Sequence, residues 1–155
     1  MTIRRAKESD ISKLIDLLEQ VLLVHHKVRP DLFQEKGVKY TETQLAELIA
    51  DDNRPIFVYE DEEGQVLGHM FTIIEQSSAP KMPRKTLFID DLCVDEAARG
   101  QKIGEQLYQF ALQHAKEIGC YNLTLNVWSA NKSAVRFYER QGMTPQETCM
   151  EQIIY

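Results

Sequence analysis

Two short clusters in this chain have the residue types and spacing for chemistry. The first is Arg99-Gly100-Gln101-Lys102-Ile103-Gly104, set between a nearly continuous apolar run, TLFIDDLCV, and a segment of helical periodicity. The first turn of a helix leaves backbone N–H groups unpaired and carries partial positive charge, so it attracts anions. Arg99 adds a full charge, and Gly100 and Gly104 let an anion approach the backbone. A P-loop is excluded, because Glu105 and Gln106 follow Gly104 where Lys and Ser/Thr are needed, and GxGxxG is absent. The loop reads as a phosphate site of another kind.

The second cluster is Asn131, Ala134, Phe137, Tyr138 and Gly142. On a helix, Asn131, Ala134 and Tyr138 share a face and Phe137 points elsewhere. That face would be a cleft wall with a polar cap, a small residue and a phenol. Asn131 also reads as a simple N-cap, and Tyr138 as an ordinary packed tyrosine.

Both clusters at this spacing resemble the GCN5-related N-acetyltransferase (GNAT) family. Its signature R/Q-x-x-G-x-G/A is met by Arg99 and Gly104, and its later N-x-x-A-x-x-F/L-Y-x-x-x-G helix by Asn131 to Gly142. The chain departs from it at Lys102, which stands where the family has its central glycine. The resemblance implies acetyl-CoA as co-substrate, with amides from Gly100 through Gln101, Lys102, Ile103 and Gly104 to Glu105 on its pyrophosphate. It also implies Leu92, Cys93 and Val94 along the pantetheine arm, Asn131 and Ala134 beside it, and Tyr138 as the acid that protonates the thiolate.

Asp90 and Asp91 interrupt the apolar run. Buried carboxylates need partners, so each is either a structural anchor or a catalytic base, and strand alternation sends at most one into a given cleft. A base would be needed, since an alkylamine of pKa about 10.4 is only ~0.04% deprotonated at pH 7. Cys93 reads as a core thiol and His114 as a half-buried packing residue. His25, His26 and Phe33, in HHKVRPDLF, read either as lining for an acceptor pocket or as a helix end anchored on the core.

The elements that must position these residues follow from periodicity. Residues 2–6 suit an edge strand. Ile11, Leu14, Ile15, Leu18, Val21 and Leu22 make a helical stripe that must end by Pro30. Thr41–Ala50 suits a second helix, and IFVYE and QVLGHMFTIIE suit a hairpin across DEEG. TLFIDDLCV reads as a strand covered on both faces. The helix after the loop ends at Gly119, YNLTLNVW alternates as a strand, Asn131 to Gln141 is a last helix, and MTPQETCMEQIIY supplies one or two final strands. The expected fold is α/β: one domain over residues 1–155, with a mixed, mostly antiparallel central sheet flanked by about four helices.

Composition agrees with one soluble domain, with 43% hydrophobic and 27% charged residues. A net charge of −6 disfavours nucleic acid as a partner. No apolar run is long enough for a membrane span. The three cysteines have no CxxC spacing, so a cytoplasmic protein without metal is expected. The resemblance implies transfer of acetyl to a primary amine (a small amine, an aminoglycoside, or a protein lysine or N-terminus) by direct attack in a ternary complex. It is also compatible with a homodimer through the C-terminal strands. The alternative is a non-catalytic acyl-CoA-binding or sensing domain on the same fold.

Overall fold

The computed structural model describes residues 1–155. Five strands form one sheet in the order β1 (Thr2–Arg5), β2 (Ile56–Glu60), β3 (Val66–Gln76), β4 (Lys85–Val94) and β5 (Asn122–Leu125). The first four pair antiparallel, and β4 pairs parallel with β5. Four helices flank the sheet: α1 (Ile11–Val28), α2 (Glu42–Ile49), α3 (Ile103–Glu117) and α4 (Lys132–Arg140). The expected fold class is the one found.

Alternation along β2 makes two cores. Phe57 and Tyr59 face α3, packing with Met70, Leu87, Ile89, Leu107 and Tyr108, while Ile56 and Val58 face α1 and α2, packing with Leu14, Leu17, Leu18 and Leu45. A fully buried Leu or Ile contributes about 1.5–3 kcal/mol, so these two layers hold the sheet between its helices. His114 packs as expected, stacked on Phe110 and edge-on to Phe57.

Several boundaries differ from the sequence reading. Residues 8–10 form a 3-10 turn, with α1 following from Ile11 and running past His25 and His26 to Val28. The Asp10 carboxylate, held by Arg4 at 2.8 Å and by the Lys7 N–H at 2.7 Å, fixes that start. The strand expected over 121–127 keeps only Asn122–Leu125, because β4 turns away beyond Ile89 and leaves the rest unpaired. The final strands do not form. Residues 144–155 make no backbone–backbone hydrogen bond, since no strand of this chain lies beside them, and Met150, Ile153, Ile154 and Tyr155 are exposed.

Gly68 brings α3 down onto the sheet. A Cβ there would lie 3.0 Å from the Cys93 carbonyl oxygen and within 3.3 Å of Leu107 and Ile103 side chains. Gly68→Val is therefore expected to lower stability by about 1–3 kcal/mol through overpacking, read as a reduced urea midpoint.

Candidate active site

β4 carries the site. Its register with β3 steps from Phe71↔Asp91 to Thr72↔Ile89, leaving Asp90 as a bulge. The extra residue resets the alternation, so Leu92 joins Leu87 and Ile89 on the α3 side while Asp91 and Cys93 face α1. Pairing with β5 covers only Thr86–Ile89. Past that point the strands part, and a cleft of about 360 Å³ opens between them.

The cleft runs through the sheet. Gln20, Val21, Val24 and His25 of α1 line it from one face, and Asn131, Ala134 and Tyr138 from the other. Asp90, Asp91, Leu92, Cys93 and Val94 line it along β4, with Arg99 at one end. Both aspartates thus line one cleft, contrary to the simple alternation expected from sequence, because the bulge breaks the period of two.

The loop after β4 is tied down by α1. Lys13 pairs with Asp95, whose other oxygen caps the following turn by accepting from the Ala97 N–H at 3.1 Å. The Glu96 N–H donates to Gln20 at 2.9 Å. Gly100 (φ 87) and Lys102 (φ 59) are both left-handed, and Lys102 caps α3. The N–H groups from Gly100 to Glu105 find no acceptor within the protein. Alternating left-handed residues turn successive N–H groups into one concavity, which suits an anion. Lys102 accepts a conformation that costs an L-residue about 1–2 kcal/mol. Gln101, Lys102 and Glu105 face a separate open hollow beside Met1 and Ile3, while Ile103 is buried in the core. Gly104 backs onto Phe137 and Val94.

The titratable groups differ sharply. Burial pushes the Tyr138 phenol up to about 12, with the Asp91 charge and Tyr108 adding to the effect. Its hydroxyl makes no hydrogen bond within the protein and stays accessible, so it keeps its proton across the neutral range. Burial pushes the Asp91 carboxyl up, but the hydrogen bond from His69 at 2.6 Å, with the nearby Lys39 charge, leaves it below the usual range. Asp90 instead meets Lys39 at 3.7 Å, near the surface. Burial pushes the Cys93 thiol up to about 12, and Cys93 donates to the Leu17 carbonyl, so it sits as a core thiol. Asn131 accepts from the Ala134 N–H at 3.2 Å, so it is an N-cap as well as cleft lining.

Of the three α1-end residues, only His25 lines the cleft. Burial lowers its pKa, and its Nδ1 has no partner. Phe33 stacks on His25 at 4.9 Å and meets Trp128 edge-on at 5.6 Å, and His26 bonds the Phe33 carbonyl. They form a wall behind the cleft. His69, Trp128, Gln20 and Val24 are site residues that the sequence reading did not single out. Only His69 carries a sequence signal, a lone histidine within the apolar run VLGHMFTII. No group of three or more His, Cys, Asp or Glu side chains is arranged to hold a metal.

An open mixed sheet, whose β4 and β5 part beyond Ile89 beside a loop of unpaired amides leading into α3, defines the class. The acetyltransferase (GNAT) family profile matches residues 18–143, and the chain belongs to that family. It is similar to the glucosamine 6-phosphate N-acetyltransferase of Arabidopsis thaliana, 29% identical over 60% of each chain. It is also similar to the peptidyl-lysine N-acetyltransferase YjaB of Salmonella typhimurium, 26% identical over 92% of this chain and 82% of the relative. The match to the mycothiol acetyltransferase of Propionibacterium freudenreichii, at 26% identity, spans 92% of this chain but 42% of that protein. The chain thus spans less than two thirds of the plant and mycothiol enzymes it matches. A mutant Bacillus halodurans protein superposes over the whole of both chains, C-terminal segment included, with 27% identity and a TM-score of 0.94.

Lys102→Gly is expected to relieve the left-handed strain, offset in part by a more flexible unfolded chain. A gain of up to about 1 kcal/mol, or roughly 2–4 °C in thermal midpoint, should be measurable by calorimetry.

Proposed function

We propose that the protein is an N-acetyltransferase that moves acetyl from acetyl-CoA to an unphosphorylated, cationic primary amine. The observation that carries this reading is a run of unpaired amides, Gly100 to Glu105, beside a cleft that holds both a protonated phenol and an ionised carboxylate. Acetyl-CoA, when bound, supplies an acetyl group activated as a thioester. Arg99 and the Gly100–Glu105 amides fit its pyrophosphate. The unpaired edge of β4 from Asp90 to Val94 fits its extended amide arm, in the manner of an added strand.

The chain's own residues divide the proton work. A carboxylate in the cleft attracts an ammonium and accepts its proton, freeing the lone pair that attacks. Asp91 is better placed for this than Asp90, whose charge faces Lys39. Tyr138 holds a proton ready for the departing thiolate. Cys93 is a protonated core thiol, which favours direct transfer with both substrates bound over a covalent acyl-enzyme. Away from Arg99, the cleft offers the carboxylates of Asp90 and Asp91, which favours a cationic acceptor over a phosphorylated one. Three free cysteines suit a reducing compartment, the cytoplasm.

A homodimer belongs to the same reading. The outer edge of β5 is open, and the exposed apolar segment 144–155 lacks strand partners. A second copy whose tail pairs along β5 would satisfy both. Sedimentation of the full chain should give twice the chain mass, and a deletion of residues 148–155 should give a monomer. A monomeric full chain at micromolar concentration would exclude the pairing.

Thiol release from acetyl-CoA, measured against small amines, aminoglycosides and lysine peptides, tests the activity. Tyr138→Phe is expected to lower turnover on the order of 10- to 100-fold while acetyl-CoA affinity by calorimetry stays within about twofold. Stabilisation by acetyl-CoA without release to any amine would instead favour a sensor.

A further inference from the structure

His69 takes no direct part in the proposed transfer, yet it is the most unusual side chain in the molecule. It is fully buried, at 0% exposure, in the middle of β3. Its cross-strand neighbours are Val58 and Cys93, and the Phe71 ring lies 4.9 Å away, edge-on. The surrounding layer is apolar, built from Leu14, Leu17 and Leu18 of α1. A polar ring there is costly unless both nitrogens are paired, and only one is. Nε2 lies 2.6 Å from Asp91 Oδ2, while Nδ1 has no partner. An apolar side chain of similar volume would satisfy the packing better.

The pair has one opening. The Asp91 side chain is 9% exposed, and it lines the cleft. Its Oδ1 takes no hydrogen bond within the protein and is not sealed off from solvent. One carboxylate oxygen is thus held by a buried imidazole, and the other is left without a partner on a side chain that lines the cleft. The tautomer with its proton on Nε2 completes the bond and leaves at Nδ1 a lone pair rather than a stranded N–H.

We propose that His69 is the positioning residue for Asp91: its Nε2–H holds Oδ2 so that Oδ1 faces the cleft as an ionised base for the acceptor amine. This rests on the acetyltransferase reading above. In the step it supports, an N–H bond of the acceptor ammonium breaks and an O–H bond forms at Oδ1. The amine keeps the electron pair, and the Nε2–H···Oδ2 bond persists throughout. The geometry also explains why Asp91 rather than Asp90 serves. Asp90 has only a surface lysine to hold it, 3.7 Å away. The other groups facing Asp91 are His25 from α1, Lys39 from the segment before α2, Tyr138 from α4, and Cys93 on its own strand.

The test compares His69→Leu, which removes the donor, with His69→Gln, whose side-chain N–H can stand in for Nε2. Without the donor, burial dominates and Asp91 loses its charge at a higher pH. The acid limb of the pH–rate profile should therefore move up by about one unit or more in His69→Leu. Its kcat at pH 7 should fall roughly tenfold or more, with KM for acetyl-CoA and stabilisation by acetyl-CoA unchanged. His69→Gln should restore most of the activity and the original limb. A folded His69→Leu protein that binds acetyl-CoA and keeps the wild-type acid limb would overturn the proposal. Nitrogen NMR of the unmutated, histidine-labelled chain gives a readout that needs neither turnover nor a stable variant. A proton on His69 Nε2 is expected, and a bare Nε2 would overturn the assignment. If the wild type acetylates no amine, the functional reading fails, while the NMR result still decides the His69–Asp91 bond.

Discussion

Past Ile89, β4 is paired on one side only, and the site depends on that constraint. Antiparallel pairing with β3 continues to Val94 across the bulge, but the parallel ladder to β5 stops. A strand edge inside a domain ordinarily meets another strand or a covering element, because unpaired backbone groups are costly when dry. Here that edge faces a cleft. The same bulge that ends the pairing turns Asp91 toward α1 and lets Asp90 reach the cleft as well. One inserted residue therefore makes the gap, the free backbone edge and the acidic lining together.

The helices act as clamps on this gap. α1 fixes the far end of β4 through Lys13 and Gln20, which hold Asp95 and Glu96 at the entry to the loop that opens α3. Gly68 lets α3 sit against the sheet, and the first turn of α3, with its unpaired amides, follows Arg99 of the cleft. α4 closes the opposite wall with Asn131 and Tyr138, anchored by Phe137 against Gly104. Each clamp comes from a different part of the chain, and each touches β4 or the loop that follows it.

Charge is divided across the same cleft. Asp91 is ionised within a buried layer because a histidine faces it, and Tyr138 keeps its proton because burial and the Asp91 charge act in the same direction. An ionised carboxylate and a protonated phenol thus coexist in one cleft at one pH, set apart by their surroundings.

The sequence by itself determined the class of fold and where the loop that opens α3 lies. The helical stripe of α1, the alternation of the strands, and the Arg99–Gly104 and Asn131–Gly142 clusters are local patterns, and local patterns survive translation into structure because they reflect helix and strand periods. The extent of β5 and the absence of the last strands were not legible, since a strand exists only where a partner lies beside it. Nor could the sequence assign the aspartates. A bulge is a property of two paired strands, and without it the period of two forbids what the structure shows for Asp90 and Asp91. His69 and Asp91 lie apart in sequence and meet only because β3 and β4 pair in this register. Residue types and spacing set what chemistry the chain could hold, and strand register decided which side chains share it.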